Sequence, residues 1–287
     1  MKNKTFQTIL PDFVKSLQEK GRSPSTVLAY RADVEQLIDF AVKRQKPSPE
    51  MLIPQDITNF RDFLMSQKYT AKTVSRKLNA IKTFYRWLKD EKHITRDPSK
   101  DIEHPKIEAS MPKFLNELEY RALRDVVRDD LRITAIVELI LQTGMRISEI
   151  ANLKMHNIKS DKIIIEKHAT QPKRNVSYNE SARNAVEDYL TIRPKADSEY
   201  VFISKTGNPL AVRNIRAAID KYMQKAGVPQ YSVNDIRSTF IVENLKRGVD
   251  LVTVSQSVGH KRLSTTERYL ELADIKESGK SQDLAEL

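Results

Sequence analysis

The stretch from Thr95 to Pro112 constrains this chain most, because it divides it. It carries Pro98, Pro105 and Pro112, is dense in charge and shows no apolar period. Proline fixes φ and removes a backbone donor, so such a stretch interrupts regular structure and reads as a linker. The parts on either side are then separate folding problems, and 287 residues are comfortable for two domains. The reading is a helical domain over residues 1–95, a linker over 96–112 and a second domain over 113–287.

The first part reads as four helices with almost no strand signal. Phe6, Ile9, Leu10, Phe13, Val14 and Leu17 make a helical stripe between Phe6 and Lys20. Ser23-Pro24-Ser25-Thr26 is a helix start with proline just inside the first turn. It opens a helix through Tyr30, Val34, Leu37, Ile38, Phe40 and Ala41, which Lys46-Pro47-Ser48-Pro49 ends. A third helix follows near Gln55–Gln67. A fourth spans about Ala71–Lys92, with Val74, Leu78, Ile81, Phe84, Tyr85 and Leu88 on one face. Two of these helices begin with hydroxyl and basic side chains. Arg22, Ser23, Thr26 and Arg31 on one, and Lys72, Thr73, Arg76 and Lys77 on the other, are candidate contacts to a nucleic acid. The same mixture also describes an ordinary solvated helix face.

The second part begins with helices over Asn116–Val127 and Leu131–Thr143. The latter is apolar enough to be buried, and Gly144 stands where a left-handed cap is needed. A short helix opens at Arg146. Lys162–Glu166 and Arg174–Tyr178 read as a hairpin, and Tyr200–Ile203 as a third short strand. Further helices are expected over 181–192, 211–226, 235–247, 251–258 and 264–273. The fold class is therefore mainly α with a small β element.

Lys plus Arg number 49 and Asp plus Glu 38, a net charge of +11 that favours a polyanionic partner. Cysteine is absent, which excludes disulfides, thiol catalysis and thiolate metal sites. The five histidines show no ligand spacing, so neither a metal nor another cofactor is expected. No apolar run approaches a spanning helix, and Met1-Lys2-Asn3-Lys4 leads into no signal-peptide core, so a cytoplasmic location is the default.

Three segments stand out together: Thr143-Gly144-Met145-Arg146-Ile147-Ser148-Glu149, Asn234-Asp235-Ile236-Arg237-Ser238-Thr239-Phe240, and Gly259-His260 followed by Thr265-Thr266-Glu267-Arg268-Tyr269. In order and spacing they resemble the boxes of the tyrosine recombinase, or phage integrase, family, and most closely its small two-domain Xer-like members. The resemblance covers nearly the whole chain. It implies an N-terminal four-helix core-binding domain and a C-terminal catalytic domain.

The resemblance implies roles as well. Arg146 and Arg237 are the arginines that grip the scissile phosphate, for which a planar, permanently charged fork is suited. His260 donates to that phosphate or assists proton transfer. Tyr269 is the nucleophile, and the capping-box pattern Ser264-Thr265-Thr266-Glu267 places it in the second turn of a short helix. A hairpin lysine is the general acid for the leaving 5′-oxygen; Lys167 directly follows the strand and is preferred, with Lys173 the alternative. Asn234 stands where the family usually has histidine, keeping a hydrogen-bond donor but no base at neutral pH. Ser238 stands where many members have another.

The implied activity is strand cleavage and rejoining in double-stranded DNA through a 3′-phosphotyrosyl link and a Holliday junction, without ATP. A homo-tetramer on DNA is implied, assembled through the tail over 271–287. A DNA-binding regulator that keeps the fold, and a relaxing enzyme with the same tyrosine chemistry, fit the same residues.

Overall fold

Prolines and hydroxyl side chains set the helix starts of the first unit. The computed structural model describes residues 5–108, 110–167 and 172–273. The chain separates into two units, one ending at Ala109 and one beginning at Ser110. In the first, α1 spans Phe6–Glu19, α2 Pro24–Val42, α3 Pro54–Ser66 and α4 Ala71–Asp90. Ser23 caps α2 by accepting from the Thr26 N–H (3.2 Å), and Pro24 occupies the first helical position. Phe6, Ile9, Phe13 and Leu17 are buried in one core with Phe84, Trp87 and Leu88 of α4, with Phe13 edge-on to Phe84 at 5.0 Å.

The stretch expected as a linker over 96–112 forms no helix or strand among its described residues, but part of it packs on the first unit. Ile94 and Ile102 are buried in this same core, and Lys82 Nζ donates to the Ile102 carbonyl at 2.7 Å. Prolines stop helices but do not stop apolar side chains from burying, so the boundary falls near residue 109.

In the second unit, α5 covers Glu117–Val127, α6 Leu131–Thr143 and α7 Ile147–Ala151. The strands β1 (Lys162–Ile165) and β2 (Arg174–Ser177) form one antiparallel ladder, with Ile163 opposite Val176 and Ile165 opposite Arg174. Then follow α8 (Glu180–Ile192), α9 (Val212–Lys225), α10 (Val233–Lys246), α11 (Leu251–Val258) and α12 (Ser264–Glu267). α10 packs on α6, α9 and α11 and is buried nearly all round, so whatever it carries is held rigidly.

Two expectations change here. Tyr200–Ile203 makes only isolated bridges, Tyr200 to Lys154 and Ile203 to Pro209, and no ladder. Its apolar residues are buried without a neighbouring strand, Phe202 stacking on Tyr189 at 5.1 Å. The last helix is also shorter than its pattern. Ser264 is its first residue rather than its cap, and the N–H groups of Tyr269 and Leu270 bond back three residues, to Thr266 and Glu267. That tighter turn ends α12 ahead of Tyr269. Most of the tail expected over 271–287 lies outside the described residues, only Glu271–Ala273 being described.

Candidate active site

Arg146 and Arg237 come from different elements and reach the same strip of backbone. Arg146 precedes α7 and donates through Nη1 to the Val258 carbonyl (3.1 Å) and through Nη2 to that of Gly259 (2.8 Å). Arg237, one turn into α10, donates to the Val258 carbonyl (2.6 Å) and to that of Gly144. Val258 and Gly259 end α11 directly before His260, so the chain's own fold brings both guanidiniums to that histidine. The two glycines make this possible. Gly144 has φ +61, and a Cβ there would lie 2.6 Å from the Phe240 ring and 2.8 Å from Val258. Gly259 has φ +66 and turns the chain from α11 toward His260.

A third guanidinium completes the cluster. Arg174 of β2 takes both oxygens of Glu149, each at 2.8 Å, and donates through Nε to the Ser257 carbonyl at 2.8 Å. Glu149 also accepts from the Arg146 backbone N–H (2.8 Å) and more distantly from Arg146 Nη1 (3.1 Å). Burial pushes the Glu149 carboxyl up, but the bonds and charges of Arg174 and Arg146 outweigh it, and the group lies below its ordinary value. Three guanidiniums around one carboxylate leave an excess of positive charge, the complement of a phosphate.

That charge marks its neighbours. Arg237 is brought down to about 9, first by burial and then by the charge of Arg146, and still carries its charge at neutral pH. His260 is brought down to about 4, by burial and then by Arg237, Arg146 and Arg174, so its imidazole is neutral at pH 7. Its Nδ1 lies 2.8 Å from the Thr266 hydroxyl, and its ring stacks on that of Tyr269 with centroids 6.5 Å apart. Tyr269 is half-buried, and its hydroxyl lies 3.2 Å from that of Ser238, which itself donates to the Asn234 carbonyl (3.2 Å). The nucleophile candidate thus reaches α10, the helix that carries Arg237, through the Ser238 hydroxyl.

The structure brings together Arg146, Arg237, His260 and Tyr269. It does not join every other candidate to them. Asn234 is exposed in the first turn of α10. Lys167 is exposed at the end of β1, on the rim of a cleft shared with Ser148 and Glu149, whereas Lys173 pairs with Glu166 at 3.1 Å. In the first unit Arg22, Ser23, Arg31, Lys72 and Arg76 are exposed. Ser23–Thr26 and Thr70–Thr73 are hydroxyl pairs closing helix caps, and Arg31 pairs with Glu35. Lys77 is a correction. It is buried, and its ammonium is held by Asp33 at 2.8 Å, because the helix turn that exposes Arg76 faces the next residue inward.

The sequence pattern passed over Arg174. Arg174 and Val176 share one face of β2, and Val176 is buried, as is Tyr178 just past the strand. A charged residue on the inward face of a strand is the signal that identifies it. Among the described residues, no group of three or more His, Asp or Glu side chains could hold a metal ion, and no helix is long and apolar enough to cross a membrane.

Comparison with known proteins agrees with this geometry. Residues 113–275 match the phage integrase family and residues 10–92 the phage integrase N-terminal SAM-like domain. The chain is 31% identical over 265 residues to the tyrosine recombinase XerC of Staphylococcus epidermidis, spanning 89% of each. The crystal structure of XerA recombinase is 26% identical, with a TM-score of 0.53 over 91% of this chain and 92% of that one. A lambda integrase tetramer bound to a Holliday junction shares the fold, with a TM-score of 0.76 at 16% identity over 93% of this chain and 78% of that one. With both units matched and the ordered arginines, histidine and tyrosine gathered at one place, the chain belongs to the phage integrase family, as a XerC-like tyrosine recombinase.

Proposed function

We propose that this recombinase cuts and rejoins duplex DNA with Tyr269 as its nucleophile. The observation that carries the reading is the convergence of Arg146 and Arg237 on the Val258–Gly259 carbonyls, beside His260 and Tyr269. A phosphodiester entering there exchanges neutral carbonyl partners for anionic oxygens. The equatorial oxygens gain charge in the transition state, so two fixed forks stabilise it more than the ground state.

The phenol oxygen attacks phosphorus and its proton passes to the neutral His260 imidazole. The bond to the 5′-oxygen breaks, and Lys167 protonates that oxygen as it leaves. The 3′-phosphotyrosyl link conserves the bond, so a 5′-hydroxyl from a partner duplex reverses the step without ATP. Two such rounds form and resolve a Holliday junction. Ser238 orients the phenol, and Asn234 contributes a donor rather than a base. Arg22, Ser23, Thr26, Arg31, Lys72 and Thr73 of the first unit contact the DNA backbone, giving salt-sensitive binding. The active assembly is a tetramer on DNA, aided by the tail over 271–287, and it works in the cytoplasm.

The test starts from genomic DNA of the source organism. Covalent protein–DNA adducts are captured and sequenced, and a nicked duplex carrying the recovered site is the substrate. A slow-migrating covalent band with the wild type and none with Tyr269→Phe is expected. A band that persists in Tyr269→Phe contradicts the proposal.

A further inference from the structure

The nearest carboxylate to Arg146 is also the greatest threat to its role. Glu149 lies three residues on, its side chain 5% exposed, and already bonds the Arg146 backbone N–H and Nη1. A full pairing between them would neutralise the charge a phosphate needs and close the fork it would occupy. Arg174 stands in the way. It holds both Glu149 oxygens at 2.8 Å with its planar face of donors, and its side chain is only 9% exposed. What remains to Arg146 is one 3.1 Å contact with Glu149 and two neutral carbonyls.

The same guanidinium braces the histidine. Its Nε donates to the Ser257 carbonyl at 2.8 Å. A Cβ at Gly259 would fall 3.0 Å from the Arg174 guanidinium carbon, so the backbone just before His260 lies directly against that guanidinium. One side chain therefore ties β2, the start of α7 and the end of α11 to each other.

We propose that Arg174 is a positioning residue for strand cleavage: by taking both Glu149 oxygens it limits that acid to one contact with the Arg146 side chain and keeps the Arg146 charge for the phosphate, and by bonding Ser257 it fixes the segment that carries His260. The proposal rests on Arg146 gripping the phosphate. It makes a specific demand on charge. Without Arg174, Glu149 turns to Arg146 and neutralises it. Removing that carboxylate's charge as well should then give Arg146 back. A purely structural Arg174 makes the opposite demand, since losing a second member of the cluster only deepens the defect.

The experiment compares wild type, Arg174→Gln and the double variant Glu149→Gln/Arg174→Gln on the nicked duplex recovered by covalent capture. Single-turnover adduct formation is measured at saturating protein, and affinity for the same duplex is measured separately in a Tyr269→Phe background. Thermal melting establishes that each variant is folded. Arg174→Gln should form adduct about 100-fold more slowly, the scale of losing one charge-stabilising donor, with DNA affinity changed much less. The double variant should regain about tenfold of that loss. A single variant as fast as wild type overturns the proposal, and so does a double variant no faster than the single. If Arg174→Gln does not fold, Arg174→Lys with and without Glu149→Gln makes the same comparison, since lysine keeps a charge but not the fork. Wild-type protein that forms no Tyr269-dependent adduct is a separate result; it removes the nucleophile assignment and this inference with it.

Discussion

Each unit of this molecule pairs a buried carboxylate with more than one basic side chain, Asp33 in the first and Glu149 in the second, and they use it differently. In the first, Asp33 holds Arg76 through both of its oxygens and Lys77 through one. In the second, Glu149 is held through both oxygens by the Arg174 fork, while Arg146 reaches it with its backbone N–H at 2.8 Å and one side-chain nitrogen at 3.1 Å. The inner cations are alike, Lys77 with 10% of its side chain exposed and Arg174 with 9%. The outer ones are not. Arg76 spends its fork on the acid, whereas Arg146 rests its fork on carbonyl groups that carry no net charge. The first arrangement staples α2 to α4. The second keeps a cation available. On the proposed mechanism, which cation receives the bidentate bond separates a structural cluster from a catalytic one.

The strongest way to break this contrast is Arg237→Lys. Lysine keeps the charge but loses the planar pair of donors, so single-turnover adduct formation should fall about 100- to 1,000-fold while the melting temperature changes little. An unaffected rate would mean that the fork geometry is irrelevant.

Asp33→Asn should do the reverse. It leaves Lys77 buried without a counter-charge, costing about 3 kcal/mol of stability in the first unit. Calorimetry should show that unit melting earlier. Adduct formation by already-bound protein should keep its rate, and a large drop in that rate would erase the distinction between the clusters.

A smaller effect separates the units by pH. The folded His260 lies near 4, below the ordinary value of about 6.5, so the fold favours the neutral ring. Stability from this group is therefore fully present above about pH 6.5 and is lost as pH falls toward 4. Calorimetry across that window should show the second unit weakening, and His260→Gln should flatten the trend. A trend unchanged in that variant would assign it to other groups.

Ser238→Ala should have the least effect. It removes one neutral hydrogen bond at 3.2 Å from the phenol, worth about 1 kcal/mol, and should slow cleavage several-fold without changing DNA affinity. No slowing would mean that the phenol is oriented by its stacking on His260 alone.

Much of this was legible in the sequence because it was local. Ser23-Pro24 states a helix start, Gly144 states a left-handed cap, and the stripe from Phe6 to Leu17 states a buried face. The ordered boxes around Arg146, Arg237, His260 and Tyr269 also needed no structure to be found. What escaped depends on distant partners. Arg174 is defined by Glu149, 25 residues earlier, and by Ser257, 83 residues later. Lys77 is defined by Asp33, 44 residues earlier, and a basic residue at a helix start reads as solvated until that acid is seen. The short α12 and the unladdered Tyr200–Ile203 run failed for a related reason, since a local pattern proposes an element but neighbours decide its length.

The central claim is that Tyr269 itself becomes joined to DNA, and one digest tests it directly. Trypsin cutting after Arg268 and Lys276 releases residues 269–276, a peptide with one tyrosine and no serine, threonine or histidine. Adduct formed on the nicked duplex is trimmed with nuclease, digested and read by mass spectrometry. The account predicts that the nucleotide mass lies on this peptide and on no other. A nucleotide carried by any other peptide, with this one unmodified, contradicts it.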